Sequence, residues 1–384
     1  MTTVHFGSCD AEAHWRPDDL AALPAVRSPH AERLTRDMDQ LQAVLCGPGD
    51  ILLTHRRPPA AFTELMGAAG FPARHLEVPG DPEHTVEQRL ARHAVPGLAG
   101  ALAAPYATLP GTRAAAGHQG LVGDLPDQAA VRLVNSKTWT TGLGHPGSGT
   151  VVTSLAQLRE AASAPCVVKD PYGVSGQGNI VVESAARLAF VERHLARGGA
   201  RIELIVQPLH DRAEDFAAHL TIGPRGDIDW HGIRQVVNDG HAYRGSDEPS
   251  PDLLRRLDRA GYWETAESVA RAAARAGYRG PLSVDSMTTT SGELIPVLEV
   301  NARLSPGMIA QRLGVRLELR LVPVSGPGWF ERLVNALDEA DLLALDGRPG
   351  ILPLAADTLA PPRGWLFHTV TGEPDLSPVL DQLT

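Results

Sequence analysis

The chain has 384 residues, enough for two or three domains with cores of their own, and 43% of them are hydrophobic and 21% charged. A net charge of −10 without any basic run excludes a nucleic-acid binder held by a broad positive field, so an anionic ligand must be met by a few placed cations. No segment reaches about 18 uninterrupted apolar residues, residues 1–10 lack a basic-then-apolar leader, and Cys9, Cys46 and Cys166 show no CxxC or metal spacing, so the expectation is a cytoplasmic protein with reduced thiols and no membrane partner.

Residues 1–125 read as a small α/β domain. Residues 4–6, 51–54 and 75–78 have strand character, residues 60–69 a helix that stops at Gly70, and residues 83–94 and 98–104 are expected to be helical. Gly47-Pro48-Gly49-Asp50 is a turn rather than a phosphate loop, because nothing basic follows it. The Pro-, Gly- and His-rich passage 105–123 is the expected boundary. Residues 127–142 read as helical and carry Asn135-Ser136-Lys137. A loop at 145–149, a strand at 151–152 and a helix over 155–162 with Ser154 as N-cap follow.

Next comes Cys166-Val167-Val168-Lys169, a glycine-rich loop to Gly178, and Ile180-Val181-Val182: two β-branched runs around a flexible turn. Gly173, Gly176 and Gly178, with Ser175 and Gln177 between them, let backbone N–H groups turn toward a polyanion, and Lys169 supplies a mobile positive charge beside it. In a P-loop or a kinase loop the lysine follows the glycines, and in a dinucleotide fingerprint the loop opens a helix, so none of these fits. An ordinary glycine-rich hairpin remains the alternative.

Residues 217–222, 228–233 and 235–237 read as strands with Arg234 between the last two, and 251–276 as one packing helix or two. A strand at 281–287 carries Asp285. After the turn at Ser291-Gly292, residues 294–303 carry Glu299, Asn301 and Arg303. Asp285 and Glu299 fall on neighbouring strands of one hairpin, and Glu299 and Asn301 share a face because strand side chains alternate. Two carboxylates and an amide oxygen suit Mg²⁺ that phosphates also hold, and Arg303, farther along that face, suits an anionic oxygen. A solvated edge hairpin is the alternative. Ser305 and the start of a helix over 308–313 make a small anion site for a substrate carboxylate or acyl-phosphate. Residues 316–384, with a helix near 329–337 and a strand near 364–370, carry no readable motif. HExxH and GxSxG patterns are absent.

In this order and spacing, Lys137, Lys169, the glycine loop and Asp285…Glu299-x-Asn301-x-Arg303 resemble the ATP-grasp superfamily over roughly residues 128–314. The resemblance implies ATP clasped between two α+β subdomains, 126–205 with the glycine loop and 206–315 with the metal site. A Rossmann-like pre-ATP-grasp domain (1–125) would precede them and a C-terminal appendage (316–384) follow. It also implies residue roles. Lys137 would meet the α- and β-phosphates, and Lys169 the adenine edge and a phosphate. Gly173, Ser175, Gly176, Gln177 and Gly178 would cover the phosphates. A strand and hinge over 202–209 would hold adenine through Gln207 and Leu209, and Asp211 or Asp215, with Glu214 third, would accept from the ribose. Mg²⁺, as one or two ions, or Mn²⁺ in its place, would sit on Asp285, Glu299 and Asn301. Arg234, Lys169 and Arg303 would share the transferring charge. A second, smaller lid loop at 241–246 would bring Arg244 to phosphate or substrate, and Arg303 and Ser305 would touch substrate.

Within the superfamily the chain resembles the pheganomycin-type peptide ligases. That implies an ATP-dependent carboxylate–amine ligase working through an acyl-phosphate, on small-molecule carboxylate and amine partners, in natural-product or small-peptide biosynthesis and as a possible homodimer. A small-molecule phosphotransferase on the same scaffold and a non-catalytic nucleotide-binding module are the rival readings.

Overall fold

The computed structural model describes all residues except 25–27, 163–164, 174–177, 199–200, 241 and 384. Four short segments, β1 (Thr3–Phe6), β2 (Ile51–Thr54), β3 (Arg74–Glu77) and β4 (Leu102–Pro105), form a parallel sheet in the order β3-β2-β1-β4. The order reverses between β1 and β4, which leaves a crevice at the carboxyl ends of these strands, the usual ligand position in such sheets. The helix expected over 98–104 is instead β4. A short apolar run has no periodicity that separates a buried strand from a helix, and pairing with β1 decides. The helix expected over 83–94 shrinks to Val86–Leu90, started by a capping box between Thr85 and Gln88. The passage 105–123 is not a plain linker: it holds the helix Thr112–His118 and returns to β4 through a bridge from Val122 to Leu102.

Asp37 and Asp357 face Arg56 and Gln40 inside the fold, with Gln40 Nε2 donating to Asp357 at 2.6 Å. Burial pushes Asp357 up to about 7 and Asp37 up to about 6. A carboxyl raised in the folded state contributes stability that is full below its ordinary value near 3.8 and is lost as pH rises through 6–7. Asp357→Asn is therefore expected to raise the thermal midpoint at pH 8 by about 2 °C or more and to leave it nearly unchanged at pH 4. Equal shifts at the two pH values would contradict the assignment.

The second sheet is antiparallel, in the order β5-β8-β6-β7, from β5 (Thr150–Val152), β6 (Cys166–Lys169), β7 (Asn179–Val182) and β8 (Leu204–Pro208). Helices Leu155–Ala161 and Ala185–Arg197, capped by Ser154 and Ser184, bury Leu158, Val191 and Leu195 against it.

The third sheet has eight strands: β9 (Arg212–Ile222), β10 (Ile228–Asp239), β11 (Ala242–Asp247), β12 (Gly280–Thr289), β13 (Leu294–Asn301), β14 (Arg316–Pro323), β15 (Gly350–Pro353) and β16 (Arg363–Thr371), in the order β13-β12-β9-β10-β11-β14-β16-β15. Phe216, Ala218, Leu220, Leu282 and Val284 belong to one core with Tyr262, Val269 and Ala273 of the packing helices. The stretch 251–276 is two helices, Pro251–Arg259 and Tyr262–Arg275, because Gly261 turns between them at φ +65°. The strands expected at 228–233 and 235–237 are one, β10, with an irregularity between Trp230 and Gly232. The lid loop expected at 241–246 is, from residue 242 onward, strand β11, held between β10 and β14; residue 241 lies outside the described residues. The tail expected as an appendage supplies β14, β15 and β16 and a second large core around Trp329, Phe330 and Phe367. Cys9, Cys46 and Cys166 are free and buried, and among the described residues no helix is long and apolar enough to cross a membrane.

Candidate active site

Cross-strand register assembles the site. Arg234, Ala217, Asp285 and Glu299 pair laterally across β10, β9, β12 and β13, and Gly232, His219, Ser283 and Asn301 form the next row. Residues directly opposite share a face, so both rows project from the side of the sheet away from the helices at 251–275. There Asn301 Nδ2 donates to Asp285 Oδ2 at 2.9 Å, and Lys137 Nζ donates to Glu299 Oε1 at 2.6 Å and to the Gly173 carbonyl at 2.5 Å. Lys137 thus joins the base of the glycine loop to the carboxylate hairpin.

Burial, reinforced by the Glu299 charge, pushes Asp285 up to about 7. Burial also pulls Lys169 down to about 8, with Lys137 and Arg212 adding repulsion that Glu299 and Asp285 partly offset. Asp285, Glu299, Lys137, Lys169 and Arg212 therefore act on one cleft. Asp285 and Glu299 lie on opposed positions of one hairpin and are short of positive charge, which Lys137 partly supplies. Among the described residues no group of three or more His, Cys, Asp or Glu is placed for a metal. Two carboxylates and an amide fit a hard cation such as Mg²⁺ only when phosphate oxygens complete its shell.

The Asn-Ser-Lys element splints this arrangement. Asn135 Oδ1 accepts from the Ala302 N–H at 2.8 Å while its Nδ2 donates to the Val131 carbonyl at 2.9 Å, which fixes the backbone between Asn301 and Arg303. Ser136 caps the helix Lys137–Gly142, and the Lys137 N–H donates to the Pro171 carbonyl at 3.0 Å. Gly178 has φ +84°, and a Cβ there would lie 3.1 Å from both Asp170 Cβ and Gly173 Cα, so the two ends of the glycine loop close on each other. Ser175, Gly176 and Gln177 lie outside the described residues.

Arg303 does not project into an open cleft. Its Nε and Nη2 donate to Glu12 Oε1 at 2.7 and 2.5 Å, its Nη2 also to Asn301 Oδ1 at 3.2 Å, and its Nη1 to the Leu304 carbonyl at 2.9 Å. The anion that the sequence assigned to a substrate is here a carboxylate of the first domain, on the helix Ala11–Trp15. Burial opposes the Arg303 charge, but Glu12 more than offsets it and holds the guanidinium protonated. A second tie from the same region joins Arg16 to both oxygens of Asp170 at 2.6 and 2.5 Å, at the start of the glycine loop. Glu12, Arg16 and Arg212 carry no motif that sequence reading could have used, since their partners or neighbours are set by tertiary packing.

The remaining candidates sort by strand face. Glu214 is turned to the outside, paired with Arg256 and accepting from Thr288 Oγ1 at 3.3 Å, which removes it from the ribose candidates. Asp215, two residues before Ala217 on the site-facing side, accepts from Asn238 Nδ2 at 2.7 Å and pairs with Arg212 at 3.1 Å. Asp211 is exposed and accepts from Thr290 Oγ1 at 2.6 Å. Gln207 is buried and donates to the Gly147 carbonyl at 2.6 Å, so its side chain clamps the 145–149 loop to the hinge, and the Leu209 N–H donates to the Pro165 carbonyl at 3.4 Å. Arg234 lies under the helix Pro306–Leu313 and donates to the Ala310 carbonyl at 2.8 Å. Arg244 pairs with Asp239 at 3.1 Å at the β10–β11 hairpin and is not gathered with the carboxylates. Ser305 caps the helix Pro306–Leu313, its hydroxyl accepting from the Met308 N–H at 3.2 Å.

A Cβ at Gly307 would lie 2.9 Å from Nε2 of His219, a fully buried ring on the same sheet face. Gly307→Ala must therefore lift the start of this helix. The expected loss is about 1–3 kcal/mol in denaturant unfolding, and an unchanged midpoint would rule the contact out.

No protein-family model matches the chain. It is 26% identical over 301 residues, 74% of its length and 68% of the relative's, to the [butirosin acyl-carrier protein]–L-glutamate ligase of Niallia circulans. Its fold is similar to that of the N5-carboxyaminoimidazole synthetase of Staphylococcus aureus, at TM-score 0.56 and 10% identity over 99% of this chain and 96% of that one. The N5-carboxyaminoimidazole ribonucleotide synthetase of Thermus thermophilus gives 0.55 and 16% over 91% and 94%. An Aspergillus clavatus carboxyaminoimidazole ribonucleotide synthase complexed with ATP gives 0.53 and 13% over 84% and 96%. At these identities the structural likenesses speak to the fold.

Proposed function

We propose that this chain, whose fold is the ATP-grasp fold, is an ATP-dependent, ADP-forming ligase that joins a carboxylate to an amine. The observation that carries this reading is Lys137, which bridges the glycine loop at Gly173 and the carboxylate Glu299. A cover for phosphates and an oxygen set for a divalent cation then face one another, as transfer of a γ-phosphoryl group requires. The γ-phosphoryl passes to the carboxylate, giving an acyl-phosphate and ADP. The amine nitrogen then attacks the acyl carbon, the C–O bond to phosphate breaks, and phosphate leaves.

Asp285, Glu299 and Asn301 would hold Mg²⁺, which neutralises phosphate charge when bound. Lys137 would exchange Glu299 for phosphate, and Lys169 would sit beside it, its lowered affinity for a proton relieved by the incoming negative charge. Among the described residues no covalent nucleophile is placed in the cleft, so rate enhancement rests on positioning and electrostatics. The Niallia circulans relative's name couples L-glutamate to a carrier protein, which favours an amino acid on one side of the bond here and a small-molecule or carrier-bound partner on the other. Such a ligase belongs to natural-product or small-peptide biosynthesis.

The test supplies Mg-ATP with pooled carboxylates and amines and reads products by mass spectrometry. ADP, phosphate and a mass equal to acid plus amine minus water are expected. AMP with pyrophosphate, or a stable phosphorylated acceptor, would overturn the acyl-phosphate route.

A further inference from the structure

Buried polar atoms without partners are rare in folded proteins, and in this chain one group of them gathers in the first domain. At the carboxyl ends of β1 and β2, Asp10 Oδ1, Glu12 Oε2, Gln42 Oε1 and both oxygens of Glu87 are buried with no hydrogen-bond partner. All five are acceptors. They border the point where the parallel sheet reverses its order between β1 and β4, where a ligand is expected: the Cβ position on Gly7 that meets Glu87 Oε1 is also 3.2 Å from the backbone nitrogen of Tyr106, the residue after β4.

Local geometry holds them together. A Cβ on Gly7, the residue after β1, would lie 2.9 Å from Glu87 Oε1, and Gln42 Nε2 donates to the Gly7 carbonyl at 3.4 Å. His14 pairs with Asp10 at 3.4 Å, and Glu87 and Glu12 are the next charges that act on it. The other oxygen of Glu12 is the one that holds Arg303, so this crevice and the candidate active site share a wall.

Charge is not balanced here. Arg303 answers Glu12, and His55 answers Asp39 at 2.9 Å while its charge also reaches Asp10 and Glu87, so His14 and His55 together face the three carboxylates of Asp10, Asp39 and Glu87. The side chains of Asp10 and His14 are 31% and 29% exposed and form the mouth, while Glu87 is 1% exposed beneath them and burial raises its carboxyl to about 7. Unanswered acceptors with surplus negative charge call for a cation that carries several N–H donors. A primary ammonium has three.

We propose that this crevice is the acceptor site of the ligase, binding the incoming amine as a primary ammonium on Asp10, Glu87 and the free oxygen of Glu12 and passing its proton to Glu87. The inference rests on the ligase reading above. The ammonium gives one proton to the Glu87 carboxylate. The nitrogen lone pair then forms the C–N bond at the acyl carbon while the C–O bond to phosphate breaks. A second nitrogen proton leaves with the phosphate, and Glu87 returns its own to water.

Glu87→Gln and Asp10→Asn keep shape and remove charge, and each is compared on two acceptors in the presence of Mg-ATP and pooled carboxylates. Hydroxylamine, uncharged at neutral pH, traps the acyl-phosphate as a hydroxamate without needing the site; pooled amino acids arrive as ammonium. Both variants are expected to keep the parent's hydroxamate rate and to lose amide formation about 10- to 100-fold, with a raised KM for the amine. If both products fall together, or neither falls, the assignment is overturned.

A parent that makes neither product refutes the ligase reading itself, and the crevice is then judged by thermal unfolding alone. Methylammonium chloride should raise the parent's midpoint above that in tetramethylammonium chloride, and Glu87→Gln should abolish the difference. The same midpoint in both salts overturns the site.

Discussion

Glu299→Gln is expected to lower ATP turnover by on the order of 10²–10³-fold or more while the protein stays folded. Glutamine keeps the size and leaves one oxygen, but it removes the negative charge that a divalent cation and Lys137 both need. Lys137 is nearly buried and would lose its 2.6 Å carboxylate contact. It keeps the Gly173 carbonyl, and Asp285 takes over as counter-charge. Part of what holds Asp285 near 7 is the charge of Glu299, so removing that charge makes Asp285 the stronger acid and lets it ionise beside Lys137. The check is steady-state ADP formation alongside thermal unfolding. Turnover within about tenfold of the parent would remove Glu299 from the cation site.

Glu12→Leu is expected to have the largest effect on stability. Arg303 and Glu12 are both buried, and replacing one member of such a pair by an apolar side chain leaves the other charge without a counter-ion, at a cost of about 3–5 kcal/mol. Asn301 Oδ1 and the Leu304 carbonyl still accept from Arg303, but neither carries charge. A freed Arg303 would reach for Asp285 or Glu299, so ADP formation should fall as well. The double variant Glu12→Leu/Arg303→Met should recover much of the stability and none of the activity. Urea unfolding decides: a loss under about 1 kcal/mol would mean that the pair is solvated and does not tie the first domain to the carboxylate hairpin.

These two positions differ in how far they were visible beforehand. Glu299 stands in Val297-Leu298-Glu299-Val300-Asn301, an alternation that announces a strand and sets Glu299 and Asn301 on one face. The strand before the glycine loop could be read in the same way, from a β-branched run ending in Lys169. The helix starts behind Ser154 and Ser305 were equally local, because a cap is a bond between residues two or three apart, whereas the single helix expected over 127–142 is two, Gln128–Val134 and Lys137–Gly142, the second starting behind Ser136. Local reading failed where two structures satisfy one pattern. The apolar run at 98–104 suits a helix as well as β4, and the Gly- and Arg-containing stretch at 242–247 suits a loop as well as β11.

By itself, then, the sequence determined which short segments extend or coil, which side chains share a face, and that a glycine loop and a pair of carboxylates belong to this chain. Only the tertiary structure decided what those side chains meet. It turned Glu214 outward to Arg256, brought Glu12 onto Arg303 and Arg16 onto Asp170, and let the tail complete the largest sheet. It also collected the unpartnered acceptors of Asp10, Gln42 and Glu87 in one crevice. The physical reason is range. Backbone periodicity and capping are settled within a turn or a strand and leave their mark on neighbouring residues. A buried ion pair is chosen by packing between segments far apart in the chain, and no spacing along it records the partner.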